Sequence, residues 1–205
     1  MTARTNNTAT TLAPSPTRTR LIQCASDLFA RHGFAPIGLD RVIDDAGVTK
    51  TTFYNHFASK DDLIIAVLTY QHEVQTADLI ADLEDRAGHD PREQLLAMFD
   101  VFHEWFGQPE FNGCIFLNAA TEFPIETDPV HQAAVRHGQE FLKFMAGKCV
   151  EAGVDPAEAT DVATQIYLLV CGALIMRQTA KLRDAALIAK RSAETLLGRA
   201  VVAAG

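Results

Sequence analysis

The sequence predicts an all-α protein of about nine helices, a small three-helix unit followed by a larger helical body. Apolar residues after Thr17 recur at helical rather than alternating spacing, with Ala and Leu abundant and β-branched runs scarce. Gly and Pro punctuate the chain, repeatedly as a cap residue followed by proline. A content of 48% apolar residues in 205 suffices for one or two small packed domains and excludes wholesale disorder.

The first helix is expected over residues 17–32, with Leu21, Ala25, Leu28 and Phe29 on one face and Gly33 as its C-terminal cap. Residues 39–46 form a short second helix. Gly47 supplies a tight turn, and Thr49 caps a third helix reaching His56. Two short helices hinged on a glycine and packed on a first have the pattern of a helix-turn-helix. A long fourth helix starts at Ser59, with Asp61 and Asp62 in its first turn opposing the positive end of the dipole, and runs to Arg86. After Gly88, Asp90 caps a fifth helix that opens on Pro91 and ends near Phe106. The sixth is expected over 111–122, the seventh over 129–151, the eighth over 156–181 and the ninth over 184–202. Residues 1–16, polar and Thr-rich without an apolar stretch, read as a disordered tail rather than a secretory signal.

The formal net charge of -8 is unevenly spread. Residues 1–60 hold seven basic and four acidic side chains, the remainder 11 basic and 22 acidic. A basic head on an acidic body implies that only the head meets a polyanion. No apolar run approaches the roughly 18 residues of a membrane span, so no membrane partner is expected. Cys24, Cys114, Cys149 and Cys171 lie far apart with no C-x-x-C, which gives neither a zinc knuckle nor a disulfide framework and fits a reducing cytoplasm. His131 and His137 stand roughly 240° apart around a helix and cannot share a metal. There is no phosphate-binding glycine loop and no nucleophile elbow. No catalytic residue, metal or cofactor is expected. An all-helical ligand-binding protein or enzyme not acting through DNA is the alternative.

The stretch GFAPIGLDRVIDDAGVTKTTFYNHFASKDDL, residues 33–63, resembles the DNA-binding domain of the TetR family of transcriptional regulators. The matching elements are Gly33-Phe34, Val42, Ala46-Gly47-Val48, Lys50, Phe53-Tyr54, His56-Phe57 and Ser59-Lys60 followed by Leu63. The resemblance is detailed over residues 17–67; the rest is similar only as a helical body of the usual size. It implies a helix-turn-helix domain over 17–60 and a ligand-binding and dimerisation domain over 61–205.

Within the motif, Phe53 and Phe57 share a face and pack inward, which turns Lys50, Thr51, Tyr54 and Asn55 outward. Lys50 and Thr51, flanked by Thr49 and Thr52, are placed to meet base edges in the major groove. Tyr54, His56 and Lys60 lie further along and suit phosphates, as the resemblance also implies. Arg18 and Arg20 can add phosphate or minor-groove contacts. Where the family usually has a Ser/Thr pair, this chain has Ile37-Gly38, so a backbone amide at Gly38 takes that role. Thr51 and Asp40 also depart from the family pattern and should alter which operator is read.

For the body, the resemblance implies a homodimer and a small-molecule effector. Ile166, Leu169, Val170, Ala173 and Leu174 on the eighth helix, with Leu187, Ile188, Leu196 and Leu197 on the ninth, exceed what one monomer face needs and are expected to pair across a two-fold axis. The expected effector contacts are Phe99, Phe102, His103, Phe106, Cys114, Phe116, Leu117, Phe141, Met145, Tyr167 and Cys171, which suit a lipophilic molecule. An electrophile is the other effector class, because a thiol such as Cys114 near a helix N-terminus can have its pKa lowered. Larger side chains at Gly113 or Ala119 are expected to narrow the cavity. The fourth helix, which joins head to body, is the expected lever in a repressor that binds a palindromic operator and is released by its effector.

Overall fold

The computed structural model describes residues 15–203. In order, the helices are α1 (Pro16–His32), α2 (Leu39–Asp45), α3 (Lys50–Tyr54), α4 (Lys60–Ala87), α5 (Pro91–Gly107), α6 (Ile115–Glu122), α7 (Pro129–Glu151), α8 (Ala159–Ala180) and α9 (Ala185–Ala203), with no strand among the described residues. Short polar side chains set the helix starts. The Ser59 hydroxyl accepts from the Asp62 amide, Asp90 from Arg92 and Glu93, and Asp128 from Val130. Ser15 likewise accepts from Arg18 and Pro16 occupies the first turn, so these two residues belong to α1 and not to a tail; residues 1–14 of that expected tail lie outside the described residues.

Two helices begin later than the periodicity implies. Gly113 adopts φ +85°, which takes the backbone out of the helical region, so α6 starts at Ile115 with Cys114 as its N-cap. Residues 156–158 form a turn in which Asp155 accepts from the Ala157 amide, which delays α8 to Ala159.

Two apolar cores result. The lower one gathers α1, α2 and α3 around Phe29, Phe34 and Phe53, all essentially unexposed. Truncating any of these rings to Ala should cost about 3–5 kcal/mol. This core does not stop at residue 60: Leu63, Ile64 and Val67 of α4, Phe116 and Ala119 of α6, and Val130 of α7 are part of it. The upper core joins the far half of α4 to α5, α7, α8 and α9.

By length and composition alone, α8 is apolar enough to cross a membrane, contrary to the expectation of no such run. It packs between α7 and α9. Ile166, Val170, Ala173 and Leu174 face the core, as does Leu197 of α9, so these residues are not the outward face the sequence implied.

Candidate DNA-reading surface and effector cavity

The Thr49 hydroxyl accepts from the Thr52 amide at 3.1 Å and lies 2.8 Å from the Thr52 hydroxyl, so both threonines hold the start of α3. Phe53 and Phe57 are buried beneath, which leaves Lys50, Thr51, Tyr54 and Asn55 exposed on one surface, with His56 half-buried beside them. The Lys50 ammonium reaches Asp40 on α2 at 2.8 Å, and this hydrogen bond raises its pKa. Any anion that meets Lys50 on this surface therefore has to compete with the Asp40 carboxylate.

Arg18 lies with its guanidinium 5.0 Å from the centre of the Phe57 ring, and Arg20 is exposed. Gly38 caps α2 with an extended backbone, and a Cβ there would meet nothing within 4 Å. Lys60 is half-buried at the start of α4. Its ammonium donates to the Phe34 carbonyl at 2.6 Å and ties α4 to the turn after α1.

Above the head, a cavity of about 690 Å³ opens between α4, α5, α6, α7 and α8. Of the side chains expected to touch an effector, Phe102, Cys114, Phe116, Leu117, Phe141, Tyr167 and Cys171 line it. Phe99, Phe106 and Met145 do not; they are fully buried in the upper core. His103 faces a separate polar groove beside Asp100 and Lys190. Its Nδ1 is buried without a hydrogen-bond partner among the described residues.

Sequence reasoning missed His72, Asp78 and Asp82 on the α4 wall and Gly138 and Glu140 on the α7 wall. His72 Nε2 lies 2.7 Å from Glu140 and its Nδ1 2.9 Å from Nδ1 of His137, whose ring stacks on Phe116 at 3.5 Å. Burial first, and then the neighbouring His72, push His137 down to about 4, so it is neutral at pH 7.

Cys114 corrects an expectation. The Phe116 and Leu117 amides pull its pKa down, but burial outweighs them and the thiol is raised. Burial also raises Cys171, against the hydrogen bond from the Tyr167 hydroxyl. Nor do Gly113 and Ala119 line the cavity. A Cβ on Gly113 would collide with Gln178, and Ala119 is buried against the head; Ala120 is the small residue that α6 presents to the cavity.

Both ends of α6 are bonded to the head. At its C-terminus the Glu122 carboxylate accepts from the Phe34 amide at 3.0 and 3.1 Å and from the Ala35 amide at 2.7 Å. Just before its N-terminus, Asn112 Nδ2 donates to the carbonyls of Ala30 and Arg31. Between those ties, Phe116, Leu117 and Ala120 face the cavity.

On the outer face of the body, Leu168, Gly172 and Ile175 form an exposed stripe along α8, with Met176 and Ile188 beside it. Leu168 is 67% exposed.

Residues 21–67 match the family description of bacterial regulatory proteins, tetR family, and residues 91–196 match the tetracyclin repressor-like C-terminal domain. The HTH-type transcriptional regulator LmrA of Bacillus subtilis is 25% identical over 166 residues, 80% of this chain and 87% of that protein. The uncharacterized HTH-type regulator YerO of the same organism is 32% identical over 89 residues, but these span only 42% of this chain and 31% of YerO. The crystal structure of a TetR-family transcriptional regulator from Streptomyces coelicolor superposes with a TM-score of 0.81 at 28% identity, covering 90% of this chain and 96% of that one.

Proposed function

The chain belongs to the TetR family of helix-turn-helix transcriptional regulators, and from that premise we propose that it is a dimeric repressor released from its operator by a small lipophilic effector. The family is one of regulators rather than enzymes. In this reading Lys50, Thr51, Tyr54 and Asn55 meet the major groove while Arg18, Arg20, Gly38 and His56 hold phosphates. Thr49 and Thr52 set the pitch of α3, and Lys60 fixes the turn at Phe34 rather than touching DNA. Acting on the chromosome, the protein works in the cytoplasm.

The exposed stripe of Leu168, Gly172 and Ile175 supports dimerisation through α8 and α9, because an unpartnered apolar face of this kind is buried when two copies pair as a four-helix bundle. Two heads related by a two-fold axis read an inverted repeat.

The observation that carries the effector reading is that α6 forms a wall of the cavity and is bonded to α1 and its following turn at both ends. Displacing α6 by filling the cavity must therefore strain or move the head. A coupling of about 1–3 kcal/mol lowers operator affinity roughly 5- to 150-fold. The protonated, enclosed Cys114 thiol favours a lipophile over an electrophile. Mobility shift of the protein's own upstream DNA, run with and without a panel of lipophiles, tests the proposal. A discrete complex dispersed by at least one lipophile supports it; the absence of any complex at low salt, or a complex that none of a broad panel weakens, contradicts it.

A further inference from the structure

Resting on the reading of the cavity as the effector site, we infer that the effector is a lipophilic cation. Three carboxylates line the cavity, Asp78, Asp82 and Glu140, and among the described residues no Lys or Arg does. Asp78 and Asp82 stand one turn apart on α4 and are exposed, which puts them at the mouth. Glu140 faces them from α7 and holds His72. The histidines do not cancel this charge. His137 is neutral at pH 7, and a proton on His72 still leaves two carboxylates unmatched. The nearest lysine on α7, Lys143, lines the neighbouring groove with Glu84, Lys148 and Glu151 instead.

Behind the acidic mouth, Phe102, Trp105, Phe141, Phe144 and Tyr167 present aromatic surface. Ring faces carry partial negative charge and attract a cation within about 6 Å of their centres. An anionic ligand entering here would leave its hydration and meet three carboxylates, offset by no cationic side chain and only by neutral donors such as Gln75, Thr76 and Gln108. A neutral lipophile would gain from burial but leave the carboxylates idle. A bulky cation with its charge shielded by apolar groups loses little hydration and uses both mouth and walls. The volume, about 690 Å³, accommodates a molecule of drug size.

The test uses the full chain with three probes of similar shape: tetraphenylphosphonium, tetraphenylborate and neutral triphenylphosphine oxide. Occupancy is read from Trp105, the single tryptophan, which lines the cavity. Phosphonium should bind roughly tenfold or more tightly than the oxide, with the borate weakest. Combining Asp78→Asn with Asp82→Asn should bring phosphonium affinity severalfold down towards that of the oxide, circular dichroism showing that the helices are kept. Oxide or borate binding as tightly as phosphonium, or unchanged phosphonium affinity in the double variant, overturns the cation class. The effector reading itself survives that result if the bound probe still weakens operator binding. If no probe binds, the cation class is overturned; if probes bind and operator affinity does not move, the effector reading fails instead.

Discussion

The Glu122 carboxylate accepts a 2.7 Å hydrogen bond from the backbone amide of Ala35, 87 residues earlier in the chain. This contact, with the pair to the Phe34 amide, fastens the end of a cavity wall to the turn between α1 and α2. A carboxylate can satisfy both amides at once, and charge-assisted bonds of this type are roughly twice as strong as neutral ones.

Glu122→Ala should therefore separate binding from response. We expect a loss of about 1 kcal/mol in stability, from the part-buried Phe34 amide left without its acceptor, while the exposed Ala35 amide turns to water. Trp105 fluorescence should still report effector binding, while the effector's influence on operator affinity shrinks to less than about twofold. A variant whose operator release matches the parent's would show that α4 alone transmits the signal.

Lys50 and Lys60 should behave differently despite lying ten residues apart. Lys50→Ala is expected to relax base preference and lower affinity for the best operator roughly tenfold. Asp40→Ala, which removes the competitor of Lys50, should raise affinity and steepen the salt dependence. Lys60→Ala should lower the unfolding midpoint through loss of the Phe34 carbonyl bond and leave the salt slope unchanged. A slope reduced by about 0.9 in Lys60→Ala would place that ammonium on a phosphate after all.

Acid should destabilise the protein through His137. Its folded pKa is depressed from 6.5 to about 4, so between those values the unfolded chain holds a proton that the folded chain lacks, and stability falls as pH drops through 6.5. Above that value the group contributes no pH dependence. The expected loss from this residue is roughly 2 kcal/mol between pH 7 and pH 5. Urea unfolding of His137→Gln should show a correspondingly flatter profile; an identical decline in both proteins would remove His137 as the cause.

Placing a charge on the outer stripe of α8 tests the assembly. Leu168→Glu should yield monomers at micromolar concentration by equilibrium sedimentation, with operator affinity reduced roughly 100-fold or more as linkage between the heads is lost. A variant that remains dimeric would put the interface elsewhere.

What the sequence made legible was local chemistry. Ser59 and Asp90 announce helix starts because a cap and the backbone amide that donates to it lie within three residues. The buried Phe53 and Phe57 and the exposed Lys50 and Tyr54 follow from helical spacing alone. The late start of α6 was not readable, because Gly113 takes its positive φ in a tight approach to Gln178, 65 residues on. Apolar type also failed to separate Phe102, on the cavity, from Phe99 and Phe106, in the core. Asp78, Asp82 and Glu140 look like a solvated helix face until α4 and α7 are set across a gap from each other. The link from Glu122 to Ala35 likewise has no local signature. Cavity-narrowing therefore belongs at Ala120 rather than at Gly113 or Ala119.

A double titration bears most directly on whether the cavity governs the head. Tetraphenylphosphonium is added to the full chain bound to a fluorescent operator from its own upstream DNA, while Trp105 emission and operator anisotropy are followed together. The two signals should change over the same range of concentration, ending in an operator affinity roughly 5- to 150-fold weaker. Saturation of the Trp105 signal with operator anisotropy unmoved would contradict it.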